Sequence, residues 1–157
     1  MQDISFSCCS FEELSPVALY EILQLRAQVF IVEQDCVYLD PDSNDQLSLH
    51  VSGRVGDNLL CYARLLPPGC KYPHASIGRV VTSQAARRTG CGRALLQQAI
   101  TCCEKAWPGS AITISAQQYL EHFYQQFGFT TVSQPYMEDG IPHLEMLLQA
   151  NPNARTE

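Results

Sequence analysis

Arg87, Arg88, Gly90, Gly92 and Arg93 follow the run Arg79-Val80-Val81-Thr82, and their order reads as a strand, a loop and a glycine-bearing turn that opens a helix. A turn of this kind aims several unpaired backbone N–H groups in one direction, with the positive end of the helix dipole behind them. Phosphate and pyrophosphate groups bind at such places. Four arginines, at 79, 87, 88 and 93, crowd this stretch of a chain whose net charge is −6. The pattern predicts a nucleotide-like cofactor held by its phosphates. It is not a P-loop, because no Gly-x4-Gly-Lys-Ser/Thr run occurs. Nor is it a dinucleotide fingerprint, because Leu95 stands where a third glycine belongs.

A second group of residues lies further on. Tyr124 precedes Gly128-Phe129 by four residues, and Gln117 precedes Tyr124 by seven. Read as one helix over 117–127, carrying Tyr119, Phe123, Tyr124 and Phe127, two turns place Gln117 and Tyr124 on one face. Gly128 stops this helix as a C-terminal cap.

Other elements must position these two groups. Ser15-Pro16 gives an N-cap and a first-turn proline, and Leu19, Ile22, Leu23, Arg26, Val29 and Phe30 keep a helical period to about residue 31. Residues 40–45 form a polar turn region. Strands are expected over 47–53 and 58–66, joined by Gly56-Asp57-Asn58, and over about 75–82. The helix after the glycine turn carries the apolar stripe Leu95, Leu96, Ala99, Ile100 and Cys103 and ends at Trp107-Pro108-Gly109. Ala111–Ser115 and about 143–149 read as buried strands, and 151–157 as a polar tail after one domain over 1–150.

With 157 residues, the chain is long enough to bury a real core. Its acidity argues against nucleic acid as the main partner. No apolar run reaches membrane-spanning length and no basic-then-apolar leader pattern opens the chain, so a cytoplasmic location without membrane attachment is expected. The eight cysteines contain no Cys-x-x-Cys, and their spacing suits neither zinc nor a disulfide framework. No metal is expected, and free thiols, most of them small core residues, are the reading. Cys91 stands apart, since the first turn of a helix lowers a thiol pKa and favours oxidation.

Arg87-x-x-Gly90-x-Gly92 and Tyr124-Gln125-Gln126-Phe127-Gly128-Phe129 resemble the pyrophosphate loop and tyrosine segment of GNAT acetyltransferases. Two longer stretches are similar to the ElaA branch of that family: Leu25-Arg26-x-x-Val29-Phe30-x-Val32-Glu33-Gln34-x-Cys36-x-Tyr38 and Glu138-Asp139-Gly140-Ile141-Pro142-His143-x-x-Met146. The resemblance covers about residues 11–148, and the element order β-α-β-β-β-α-β-α-β matches the family's fold. It implies a single α/β domain, with a mixed, mostly antiparallel sheet flanked by helices. It also implies direct acetyl transfer from acetyl-CoA to an amine. On that resemblance, backbone groups of Arg79, Val80 and Val81 would meet the pantetheine arm. Arg87, Arg88, Thr89, Gly90, Cys91 and Gly92 would hold the pyrophosphate. Arg88 replaces a frequent glycine and Thr89 a frequent lysine. Gln117 takes the place of a cofactor-contacting asparagine, and the Tyr124 hydroxyl would protonate the leaving thiolate. A homodimer through the last strands is also compatible with such a fold.

The general base stays open. An ammonium must lose a proton before it attacks a thioester, but Ile112 stands where some members of the family have a glutamate. Glu33, Asp40, Asp42, Asp45, His50 and His143 are the candidates. Glu33, Asp35, Asp40, Asp42 and Asp45 have no lysine or arginine between them, which suggests a cationic acceptor, a small-molecule amine or a peptide N-terminus. Two other readings share these residues. One is an acyl-CoA-binding module without turnover, against which Tyr124 speaks. The other rests on Arg26-x-x-Val29-Phe30 and Ala63-Arg64-Leu65-Leu66-Pro67, which are similar to acyl-homoserine-lactone synthases. Those enzymes are longer and lack this glycine loop.

Overall fold

The computed structural model describes residues 3–153; residues 154–157 of the expected tail lie outside them. The first strand, β1 (Ser5–Ser10), leads through a short turn to α1 (Pro16–Arg26), where the Ala18 N–H donates to Ser15 Oγ at 3.0 Å. The helix then widens into a π-helical segment, Ala27–Glu33, with the Gln34 N–H reaching back to the Val29 carbonyl at 3.0 Å. Such π segments occur often at functional sites. The expected helix to residue 31 is therefore two conformations in series.

Three antiparallel strands follow, β2 (Leu49–Val55), β3 (Asn58–Leu66) and β4 (Ala75–Thr82). The chain continues through α2 (Cys91–Ala106), β5 (Ile112–Gln117), α3 (Glu121–Gln125), β6 (Thr130–Thr131), β7 (Tyr136–Glu138) and β8 (Ile141–Leu148). Their order in the one mixed sheet is β1-β2-β3-β4-β5-β8-β6, and β7 also pairs with β8. The expected α/β fold and order of the main elements are those observed. The two short strands β6 and β7 are additions.

The helices divide between the two faces of the sheet. Leu95, Leu96, Ala99, Ile100 and Cys103 of α2 all lie buried against Leu65, Ile77, Ile114 and Met146. Full burial of each leucine there contributes about 1.5–3 kcal/mol relative to exposure. On the opposite face, Ile22, Leu25 and Val29 pack on Tyr62 and Val81.

Two irregularities in β4 create the site. Tyr62 pairs with Val81 and Arg64 with Gly78, so β4 carries one residue more than β3 across this interval. That extra residue is a bulge, and Arg79 within it has φ +50°. The second is a parting of strands. The parallel pair β4–β5 is joined only at Ala75↔Ile112 and Ser76↔Thr113. Beyond Ser76 the two strands diverge and leave a wedge through the sheet.

The cysteines need one correction. All eight are free thiols, but only Cys61, Cys91 and Cys103 are buried. Cys91 is 1% exposed and packed in the core with Cys61, so its place in the first turn of α2 offers no accessible thiol to an oxidant.

Candidate active site

A cleft of about 740 Å³ occupies the wedge. Ile77, Gly78, Arg79, Val80, Val81 and Thr82 form one wall and Ile114, Ser115 and Gln117 the other. Arg87 and Gly92 border one end, and Tyr124 and His143 also line it. The cleft thus brings together residues expected from both sequence motifs.

At the α2 end, Gly90 has φ +85° and Arg88 φ +62°, left-handed conformations that favour glycine. The first α2 hydrogen bond runs from the Ala94 N–H to the Gly90 carbonyl, so the N–H groups of Cys91, Gly92 and Arg93 precede it. A Cβ added at Gly92 would meet only Thr82 Cγ2, at 3.8 Å, and one at Gly90 nothing within 4 Å. Thr89 Oγ1 donates to the Ala86 carbonyl and steadies the turn. Arg87 is already engaged, because its guanidinium forks onto both oxygens of Glu33 at the end of the π segment. That hydrogen-bonded pair lowers the Glu33 pKa and raises that of Arg87.

Tyr124 is placed differently from the sequence expectation. Gln117 completes the β5 ladder opposite His143, a turn at Gln118–Leu120 follows, and α3 begins only at Glu121. Gln117 and Tyr124 therefore do not share a helix face. They meet instead across the cleft that both line. The Tyr124 ring sits edge-on to Phe123 and Phe129, with centroids 5.2 and 5.9 Å away. The residue is 6% exposed, and burial, with a smaller effect of Tyr119, pushes its pKa up to about 12. Its hydroxyl makes no hydrogen bond to the described residues, so it is a protonated donor facing an open cleft.

The acidic cluster is the largest correction. Arg26, fully buried, binds Asp40 through Nε and Asp45 through Nη1, both at 2.8 Å. Arg64 forks onto Asp42 at 2.7 and 2.8 Å and reaches Asp45 at 3.0 Å. Arg79 leaves the bulge to bind Asp40 Oδ1 at 2.8 Å. Three arginines thus pair with three aspartates and Arg87 with Glu33, so of the five carboxylates only the exposed Asp35 has no ion pair among the described residues. Burial by itself raises the pKa values of Asp42 and Asp45, but the arginine hydrogen bonds outweigh it and leave both lowered.

His50 leaves the list of bases on similar grounds. It is 0% exposed, between the Tyr62 hydroxyl at Nδ1 (2.7 Å) and the Asp45 carbonyl at Nε2 (2.9 Å), and burial lowers its pKa. Of the six sequence candidates, only His143 lines the cleft without an arginine partner.

Sequence reasoning missed the groups around His143. Asp139 and Gly140, both at positive φ, make the two-residue turn between β7 and β8. The resulting register sets Tyr136 opposite His143, and β5 sets Gln117 opposite it on the other side. Ser115 Oγ bonds the Tyr136 hydroxyl and donates to Glu138 Oε2 at 3.1 Å, and His143 Nε2 lies 3.2 Å from the same oxygen. The Asp139-Gly140 dipeptide between β-forming runs was the available signal.

The cleft thus joins a glycine turn at a helix start, a parted parallel strand pair and a buried tyrosine. The model of the acetyltransferase (GNAT) domain family matches residues 39–150, and the chain belongs to that family. Within it, the chain is of the ElaA type. It is 42% identical to ElaA of Escherichia coli over 136 residues, covering 85% of this chain and 89% of that one. It is also 43% identical to a UPF0039 protein of Synechocystis, covering 96% and 99%. The crystal structure of Escherichia coli ElaA superposes with a TM-score of 0.89 over 94% of this chain and 100% of the other, at 38% identity. That of an acyl-CoA N-acyltransferase from Pseudomonas aeruginosa does so with 0.88, over 93% and 99%, at 37% identity. Family membership implies acyl transfer from an acyl-CoA. Among the described residues no helix is long and apolar enough to cross a membrane, and no His, Cys, Asp and Glu gather as a metal site.

Proposed function

We propose that the protein moves an acetyl group from acetyl-CoA to a primary amine by direct attack, with both substrates in the cleft together. The parting of β4 from β5 carries this reading, because it opens one continuous path from the free N–H groups of α2 to the Tyr124 hydroxyl. The residues fit the cofactor. Backbone groups of Arg79, Val80 and Val81 face the wedge without a β5 partner and would hold the pantetheine arm. Thr89, Gly90, Cys91 and Gly92 would hold the pyrophosphate through backbone donors. Arg88 is exposed beside them, and Arg87 would exchange part of its Glu33 fork for phosphate. Gln117, on the facing strand end, would meet the arm from the other wall.

Bound acetyl-CoA supplies a thioester carbon for attack and a thiolate that must leave. Tyr124 holds a proton at its hydroxyl throughout the working pH range, since its pKa lies at about 12. It is therefore suited to general acid work rather than base work. An amine acceptor rests on the polar wall of Ser115, Glu138 and His143. Arginine pairing of four of the five carboxylates between Glu33 and Asp45 leaves this wall, rather than that cluster, as the support for an amine.

Calorimetric titration with acetyl-CoA, and with ATP and NAD as controls, tests the reading. Binding of acetyl-CoA alone at micromolar affinity, about −8 kcal/mol, is expected. Tyr124→Phe should keep that affinity and lose about 10²-fold or more in turnover. Failure of wild type to bind acetyl-CoA overturns the transferase reading, and unchanged turnover in Tyr124→Phe removes the acid role.

A further inference from the structure

We infer that Glu138 and His143 act together as the proton acceptor for the amine substrate, with Ser115 and Tyr136 holding the carboxylate in place. The inference rests on the acyltransferase reading and names the base that reading leaves open.

Geometry assigns the roles. His143 Nδ1 lies 2.7 Å from the Ile141 carbonyl, an acceptor that only an N–H can satisfy, so the neutral ring carries its proton on Nδ1. Nε2 then carries the lone pair and lies 3.2 Å from Glu138 Oε2. Two acceptors at that distance are favourable only with a proton between them. A proton taken up by the carboxylate is thus within reach of the imidazole. Access differs between the partners. The Glu138 side chain is 41% exposed and lines the cleft, whereas that of His143 is 10% exposed and stacked at 6.2 Å on the Tyr136 ring. An ammonium in the cleft therefore meets Glu138 first. Its proton passes to the carboxylate and on to His143 Nε2, leaving a neutral amine and an imidazolium–carboxylate pair.

The surroundings hold the Glu138 carboxylate in place. The Ser115 hydroxyl donates to the same Oε2 at 3.1 Å and is itself bonded to the Tyr136 hydroxyl. Tyr136 and Tyr72 stand near this carboxylate, and burial raises both of their pKa values, that of Tyr72 to about 12. They face Glu138 as hydroxyls, not as competing anions. Glu145, opposite Ser115 on β8, and Asp139, beside Glu138 in the turn, are the other acidic groups near the pair. Lys71 also lines the cleft and has no acidic partner among the described residues.

The test compares two acceptors of similar shape: phenethylamine, an ammonium at neutral pH, and phenylhydrazine, already neutral there. Glu138→Gln and His143→Gln should each lower kcat/KM for phenethylamine by about 10²-fold or more, and that for phenylhydrazine by less than about tenfold. Equal losses for the two amines would make the pair merely structural and overturn the inference. A second readout does not need turnover. Long-range proton–nitrogen NMR of the labelled protein should show the His143 ring, assigned by its absence in His143→Gln, protonated on Nδ1 when neutral. Its Nε2 resonance should move in Glu138→Gln while those of His50, His74 and His122 stay. A neutral ring protonated on Nε2, or an Nε2 signal indifferent to Glu138, overturns the inference. If wild type binds acetyl-CoA but acetylates neither amine while NMR shows the coupled pair, the amine reading fails and the proton-sharing pair stands.

Discussion

Arg26→Met tests the buried ion network directly. Arg26 is fully buried and makes three polar contacts, to Asp40 Oδ2, Asp45 Oδ1 and the Asp40 carbonyl, at 2.8, 2.8 and 3.3 Å. Methionine keeps much of the apolar stem, so the loss is mainly one of charge. Removing one partner of a buried pair costs about 3–5 kcal/mol, because the other is left uncompensated. Here each carboxylate retains a second arginine: Asp40 keeps Arg79 at 2.8 Å and Asp45 keeps Arg64 at 3.0 Å. The low end applies, about 3 kcal/mol, or roughly 6–12 °C in Tm for a domain of this size. Urea unfolding followed by circular dichroism measures it. Arg26→Met/Asp45→Asn restores the balance of two arginines against two aspartates and should be no less stable than Arg26→Met. A loss below about 1 kcal/mol, or strictly additive losses in the double variant, would refute the charge-balance argument.

Acid sensitivity follows from the same residues. The unfolded chain takes up a proton at His50 below about pH 6.5 that the fold resists, and protons at Asp42 and Asp45 below about pH 4. All three folded pKa values are depressed, so their stability contribution is complete above the unfolded values and is lost as pH falls through the folded ones. Urea midpoints should fall from about pH 6.5 downward and more steeply below about pH 4; midpoints that rise on acidification contradict the assignment. Gly90→Ala meets no atom but forces alanine to φ +85°, so about 1 kcal/mol of stability should be lost, and acetyl-CoA affinity with it as the α2 donors are re-aimed. Gly90→Asn, which tolerates that conformation better, should recover part of both, and equal loss in the two variants would show that strain is not the cause.

How legible the sequence was depends on how local each signal is. The β3 and β4 ranges agree with the expected 58–66 and 75–82, because a Gly-Asp-Asn turn and apolar runs bound them. The α2 stripe was legible for the same reason, since its five apolar positions are separated by no more than four residues. The π segment was not, because a helical period of apolar residues looks alike with either hydrogen-bond ring. The start of α3 was read too early, since Gln117 is polar and gives no sign of its ladder with His143. Least legible were the partners of the charges. Arg26, Arg64 and Arg79 lie on three elements, and only the fold carries them to Asp40, Asp42 and Asp45. Glu138 escaped for a like reason, as its value depends on a hairpin register that sets it beside Ser115 and His143.

The bulge at Arg79 joins these observations. A non-glycine residue at φ +50° costs on the order of 1–2 kcal/mol, and so persists only where neighbours hold it. Asp40 does so, accepting from Arg79 Nε at 2.8 Å and, through its carbonyl, from Nη2 at 2.9 Å. Asp40 is fixed in turn by Arg26 from the last turn of α1 and by the Tyr38 hydroxyl. The buried charges therefore sit under the bulged stretch of β4 that lines the wedge. The bulge follows the last β4–β5 pair, at Ser76, and its residues line the cleft. Well-packed apolar residues could stabilise the α1 face equally well, but they would offer Arg79 no partner. The ion network thus holds the shape of β4 at the bulge, where that strand forms a wall of the cleft.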